Sequence, residues 1–234
     1  MTPADLGVGL LWFFAFLFST TVHEAMHAWA ALQGGDPTAY HGGQVSLSPI
    51  PHMRREPIGM VVLPLLTALT QGWAIGWASA PYDPLWAARH PRRAGWMAAA
   101  GPAGNLLIAA AAFASLKAGL ATGLFVAPDF VNFERLVAPA SSGAPTFITM
   151  LLSILLVLNV FLFAFNLLPL PPLDGATVVG LALSDSQAVR LRHLLTDWWV
   201  QLIGLVIAWK VFPYLARPLF GMVLRLLHPS EGYI

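Results

Sequence analysis

The stretch Thr20-Thr21-Val22-His23-Glu24-Ala25-Met26-His27-Ala28-Trp29-Ala30-Ala31-Leu32 decides how the rest of the chain is read. On a helix, side chains four apart stand one turn above each other, so the imidazoles of His23 and His27 can reach a single zinc ion. Glu24 lies beside them, placed to take a proton from water in metal-assisted hydrolysis. With 7 histidines and four glutamates in 234 residues, random placement gives about 0.004 copies of His-Glu-x-x-His, so composition does not explain the motif. A catalytic zinc takes three protein ligands and keeps one position open, so a third ligand must come from elsewhere in the chain.

Working outward, the residues on either side of the motif are apolar. Leu6 to Val22 carries no charge and the run continues to Leu32, about 27 residues or ~40 Å of helix, enough to cross a bilayer. The motif therefore lies within the membrane, toward the C-terminal end of that helix, where ionisable groups are costly enough to mark function. The whole chain agrees: it is 57% hydrophobic and 10% charged, with mean hydropathy +0.69, too few polar side chains to cover a soluble globule. A formal charge of +1 and a pI near 8.2 leave no basic stripe for nucleic acid. The absence of cysteine excludes disulfides, thiolate zinc sites and a cysteine nucleophile. The first apolar run lacks a basic leader and carries the histidines, so it is expected to be retained and not cleaved as a signal peptide.

Gly34-Gly35-Asp36-Pro37 stops the first helix, and the alternation in Gly43 to Ser48 predicts a short strand, a candidate edge for an extended substrate. Ile58 to Ala78 is long enough to span but is broken by Pro64, Gln71, Gly72 and Gly76. Arginines flank both its ends (Arg54 and Arg55; Arg89, Arg92 and Arg93), which favours a re-entrant hairpin with both flanks cytoplasmic over a plain crossing. Ala94 to Leu116 reads as a span rich in small residues, with Asn105 needing a polar partner. Residues 121–145 read as a loop. Thr146 to Leu168 is a third long span, ended by Pro169, Pro171 and Pro172. Arg190, Arg192 and His193 read as a polar turn, Trp198 to Ala216 as a last apolar stretch, and Arg217 to His228 as an amphipathic interfacial segment. The expected fold is an all-α membrane protein, a polytopic transmembrane helical bundle with a short β-strand or re-entrant segment after the first helix. It forms a single domain over 1–234, with its core at 6–180 and further C-terminal helices at 186–228.

For the third ligand the candidate is Asp174, a carboxylate beside a membrane helix broken by prolines; unpaired backbone at that depth must line a wet cavity, which hydrolysis needs. His52 is the rival. Asp5, Asp83, Asp129, Asp185 and Asp197 read as solvated loop or helix-end residues.

Three sets of residues together resemble the site-2 protease family of intramembrane zinc metalloproteases. They are His23-Glu24-x-x-His27 in a membrane helix, Gly101-Pro102-x-x-Asn105 in the next full span, and Asn166-x-x-Pro169-x-Pro171-x-Leu173-Asp174-Gly175 after the third. Gly35-Asp36-Pro37-Thr38-Ala39, Ser48-Pro49-Ile50-Pro51-His52 and Gly76-Trp77-Ala78 are similar to connecting segments of its short bacterial and archaeal members, which lack a PDZ domain. The resemblance covers roughly residues 6 to 180 and departs at Ser79-Ala80-Pro81 and Met53-Arg54-Arg55-Glu56. It implies one Zn2+ held by His23, His27 and Asp174, Glu24 as general base, and Asn166 near the scissile carbonyl. It further implies cleavage of transmembrane protein substrates in the lipid bilayer of a prokaryotic cytoplasmic membrane, with the active site toward the cytoplasmic side. A non-catalytic metal-binding protein or an ion-relay transporter on the same fold are the competing readings, and neither needs Glu24.

Overall fold

The computed structural model describes residues 3–140 and 146–233. Among the described residues, four helices are long and apolar enough to cross a membrane: α1 (Pro3–Gln33), α6 (Pro91–Ala121), α7 (Thr146–Asn166) and α10 (Trp198–Leu227). The chain is a multi-pass membrane protein. Shorter helices lie between them: α2 (Thr38–His41), α3 (Pro49–Arg55), a π-helical turn (Ile58–Val62) running into α4 (Leu63–Gln71), α5 (Pro84–Arg89), α8 (Asp174–Val178) and α9 (Asp185–Leu195).

The centre is a layer of α1, α6 and α7, and side-chain pairs give their directions. His27 meets Met97 while Ser19 meets Asn105, so α1 and α6 run antiparallel. Asn159 meets both Ser19 and Asn105, and Asp174, beyond the end of α7, reaches His23 and His27, which together set α7 parallel to α1. The C-terminal ends of α1 and α7 therefore lie at one end of the bundle. Small residues permit the close approach: buried Gly101 and Gly104 of α6 lie against α1, as expected where lipid gives no hydrophobic drive and association rests on packing.

The segment after α3 turns back instead of crossing. Its helical part has 5 π-helical and 9 α-helical residues, about 21 Å against a hydrocarbon core of about 30 Å. Gly72 ends it in a left-handed conformation (φ 79°). The returning chain then pairs Trp77 N–H with the Gly59 carbonyl at 3.0 Å. Arg55 Nε donates to the Ser79 carbonyl and Ser79 Oγ to Glu56 Oε1, so the two arginine-rich flanks lie on the same side. This is the re-entrant form that the flanking charges favour.

Several expectations are corrected. Gly43 to Ser48 is not a strand: Gly43 takes φ 71°, Ser46 Oγ accepts the Ser48 amide, and Ser48 caps α3 through the Ile50 amide. Gln44 is buried while Leu47 is 71% exposed, so the alternation does not follow burial. Local turn and cap bonds outcompete a ladder in so short a run. The strand pair found among the described residues is β1 (Phe125–Val126) against β2 (Ala138–Pro139), inside the stretch read as loop; residues 141–145 of that loop lie outside the described residues. Arg190, Arg192 and His193 belong to α9, which opens with a capping box of Ser184 and Gln187. The interfacial segment read at Arg217 to His228 is instead the last third of α10 with its C-cap residue, His228. That helix continues through Pro213 and Pro218 because Val223, Leu224 and Leu227 bury against Leu116 and Leu156, and Lys117 Nζ donates to the Leu227 carbonyl.

Candidate metal centre

His23, Glu24 and His27 occupy the last turns of α1 and are 7%, 4% and 6% exposed. Asp174 reaches them from the first turn of α8, after the chain leaves α7 through Pro169, Pro171 and Pro172. Gly175 is required there, because a methyl at that position would collide with the Leu167 and Leu168 carbonyls. Asp174 Oδ2 lies 3.2 Å from His23 Nε2 and Oδ1 lies 3.3 Å from His27 Nε2. The two Nε2 atoms are 2.9 Å apart. One ligand atom from each of the three residues falls within 4.8 Å of the others, the only such group among the described residues.

The opposite ring nitrogens decide what those atoms can do. His27 Nδ1 sits 2.7 Å from the Met97 carbonyl, which can only accept, so Nδ1 carries the hydrogen and Nε2 presents a lone pair. For His23 the same result comes through a relay. Asn159 Nδ2 donates at 2.8 Å to the Leu155 carbonyl and to Ser19 Oγ, which turns its Oδ1 toward Asn105. Asn105 Nδ2 donates to that oxygen at 2.8 Å, leaving Asn105 Oδ1 to accept from His23 Nδ1 at 2.6 Å. Two lone pairs and a carboxylate thus converge on one point. Without a cation they repel, and Asp174 Oδ2 makes no hydrogen bond despite its approach to His23. Two neutral imidazoles and a carboxylate oxygen are the donor set of a three-ligand catalytic zinc site, and hydrogen bonds from the far ring nitrogens are its usual support. The residues fit the metal.

Gly101 of α6 faces this point, where any side chain would fill the space between the histidines. Glu24 is buried beside it, and its Oε2 has no partner among the described residues. A polar cavity of ≈ 130 Å³ lined by Pro171, Leu173, Thr177, Arg192 and Gln201 adjoins the loop that carries Asp174.

His52, the rival ligand, is not in the group; it is buried and its Nε2 bonds to the Ser46 carbonyl at 3.1 Å. Asn166 stands half-buried at the end of α7, with Nδ2 donating to the Leu162 carbonyl at 3.0 Å and no bond to the three ligands. Sequence reading did not find Ser19, Met97 or Asn159. Met97 acts through its backbone and leaves no side-chain signal, whereas Asn159, a buried amide in an uncharged membrane helix, carried the same signal as Asn105.

The chain is 35% identical over 164 residues to "Putative zinc metalloprotease YwhC" of Bacillus subtilis (strain 168), across 70% of this chain and 64% of that protein. It thus spans less than two thirds of that relative's length. No solved structure matches it. A family model described as Peptidase family M50 matches residues 11–209, from the middle of α1 into α10 and across every residue of the metal group. By that match, and by the histidine, asparagine and aspartate motifs it spans, the chain belongs to peptidase family M50, the site-2 protease family.

Proposed function

We propose that this protein is an intramembrane zinc metalloendopeptidase that hydrolyses peptide bonds within or near transmembrane segments of other membrane proteins. The observation that carries the reading is Glu24, a buried carboxylate with an unpartnered oxygen, next to two histidines whose Nε2 lone pairs are aimed at one point shared with Asp174. A metal-storing protein or an ion relay has no use for that carboxylate, while hydrolysis needs a base.

Zinc, when bound, supplies Lewis acidity that makes water a nucleophile at neutral pH and polarises the scissile carbonyl. His23, His27 and Asp174 hold it, with Asn105 and Met97 keeping both imidazoles in the ligating tautomer. Glu24 takes one proton from the attacking water and returns it to the leaving amine, so one water is consumed and a carboxylate and an amine are released. Asn166, once its amide leaves the Leu162 carbonyl, donates to the carbonyl oxygen as negative charge develops there. The site opens toward the end of the bundle that carries Arg55, Arg89, Arg92 and Arg93. The positive-inside tendency supports a site toward the cytoplasmic side of a prokaryotic cell membrane, in a protein read as one domain over 1–234.

The test is reconstitution with single-span membrane proteins as substrates. Cleavage should stop on chelation, and Glu24→Gln should keep its metal while losing about 10²–10⁴ in rate. Wild-type turnover by that variant removes the proposed base.

A further inference from the structure

α10 carries two cations on its outward side. Along the part that carries them it packs inward through buried Gly204 and Ala208 and through Phe212, whose ring meets those of Phe161 and Phe165 edge to face; beyond Pro218 the packed face turns toward Val223 and Leu224. Lys210 stands two residues from both Ala208 and Phe212, so at about 100° per residue it points away from the bundle. Arg217, seven residues on, lies about 20° from Lys210 around the axis. Both are exposed, and Tyr214 between them is 81% exposed. Neither cation has a hydrogen bond or ion pair among the described residues.

Their depth is the reason they matter. A hydrocarbon core takes about 20 helical residues, and α10 has 30. Every placement of the core along the helix contains both cations, and leaves at least one of them about 9 Å or more from the nearer face. Contacts with α6 agree. Leu227 meets Lys117, and Gln201 lines one cavity with Pro91. The two helices therefore rise in step, and Lys210 stands level with Ala100 and Gly101, at the depth of the histidines. Snorkelling relieves cations near a helix end most fully and leaves a cost for one this deep. Ionisable groups on a lipid-facing surface are expensive unless a partner neutralises them.

We propose that the outward stripe of α10, marked by Ile203, Lys210, Tyr214 and Arg217, docks a transmembrane helix of another membrane protein that carries two carboxylates one heptad apart within the bilayer. The seven, four and three residue steps along this stripe are those of a two-helix seam, in which a charged position selects the partner and fixes register. A second copy of this chain is not the partner. Its carboxylates at that depth, Glu24 and Asp174, are turned into the histidine site, and α10 contains none of its own.

The test uses the full chain in phosphatidylcholine vesicles, labelled at a cysteine introduced near His193, with a fluorescent leucine-alanine model helix bearing two central glutamates seven residues apart. Energy transfer should show at least tenfold tighter association than with the same helix bearing glutamines. The double variant K210L/R217L should erase that difference while keeping wild-type metal content and helical circular dichroism, and K210R/R217K should retain it. Equal association of the two model helices, or a glutamate preference that survives K210L/R217L, overturns the proposal.

Discussion

Gly101→Ala is the smallest change that reaches the metal centre without touching a ligand. The added methyl would stand 2.6 Å from His23 Nε2 and 2.5 Å from His27 Cε1, and closer still to His27 Nε2. Ordinary carbon contacts lie at about 3.5–4.0 Å, so relief needs movement of roughly 1 Å. If the rings rotate, they leave their 2.6 Å and 2.7 Å bonds to Asn105 and Met97. If α1 retreats from α6, the overpacking costs about 1–3 kcal/mol. Loss of one such supporting bond weakens metal binding about 10–100-fold, so with both histidines disturbed the expected loss is roughly 10²-fold or more. Gly104→Ala is the matched control. Its methyl would meet Met26 Cγ at 2.9 Å, on a flexible side chain that can turn aside. Competition against a chromophoric chelator measures both affinities, and detergent melting curves report the fold. Affinity of Gly101→Ala within twofold of wild type would refute the reasoning.

Three further outcomes are expected. Asn159→Leu removes the acceptor that orients Asn105, so metal affinity should fall about tenfold or more and the visible spectrum of the cobalt-substituted protein should change; an unaltered spectrum means the relay does not set the His23 tautomer. Asn166→Ala should slow cleavage without releasing metal, read by parallel rate and metal assays, whereas metal loss would make Asn166 structural. Single cysteines placed at Arg55 and at Arg89 should label from the same face of sealed vesicles, and labelling from opposite faces contradicts the re-entrant hairpin.

How much of this was legible in the sequence depended on how local each signal is. The histidine pair is fixed by helical period alone, and Asp174 by prolines that only a cavity tolerates at membrane depth. The return of Ile58 to Ala78 could be read from arginines at both ends, because charge placement and backbone breaks agree there. Gly43 to Ser48 misled because six alternating residues cannot outweigh glycine turns and the Ser48 cap, which bind the same backbone groups locally. The run of α10 past Arg217 was hidden for the opposite reason. Its continuity rests on contacts with Leu116, Lys117 and Leu156, which are distant in sequence. The tautomer control at His27 was invisible for a third reason, since any residue in place of Met97 offers the same carbonyl.

The most direct measurement is the zinc content of purified protein, by elemental analysis, for wild type and for single alanine variants of His23, His27, Asp174 and His52. Wild type and His52→Ala should each carry about one zinc per chain, and the other three should carry none after equilibration with a weak chelator. Full retention by Asp174→Ala, with loss in His52→Ala, would contradict the ligand set on which the proposed hydrolysis depends.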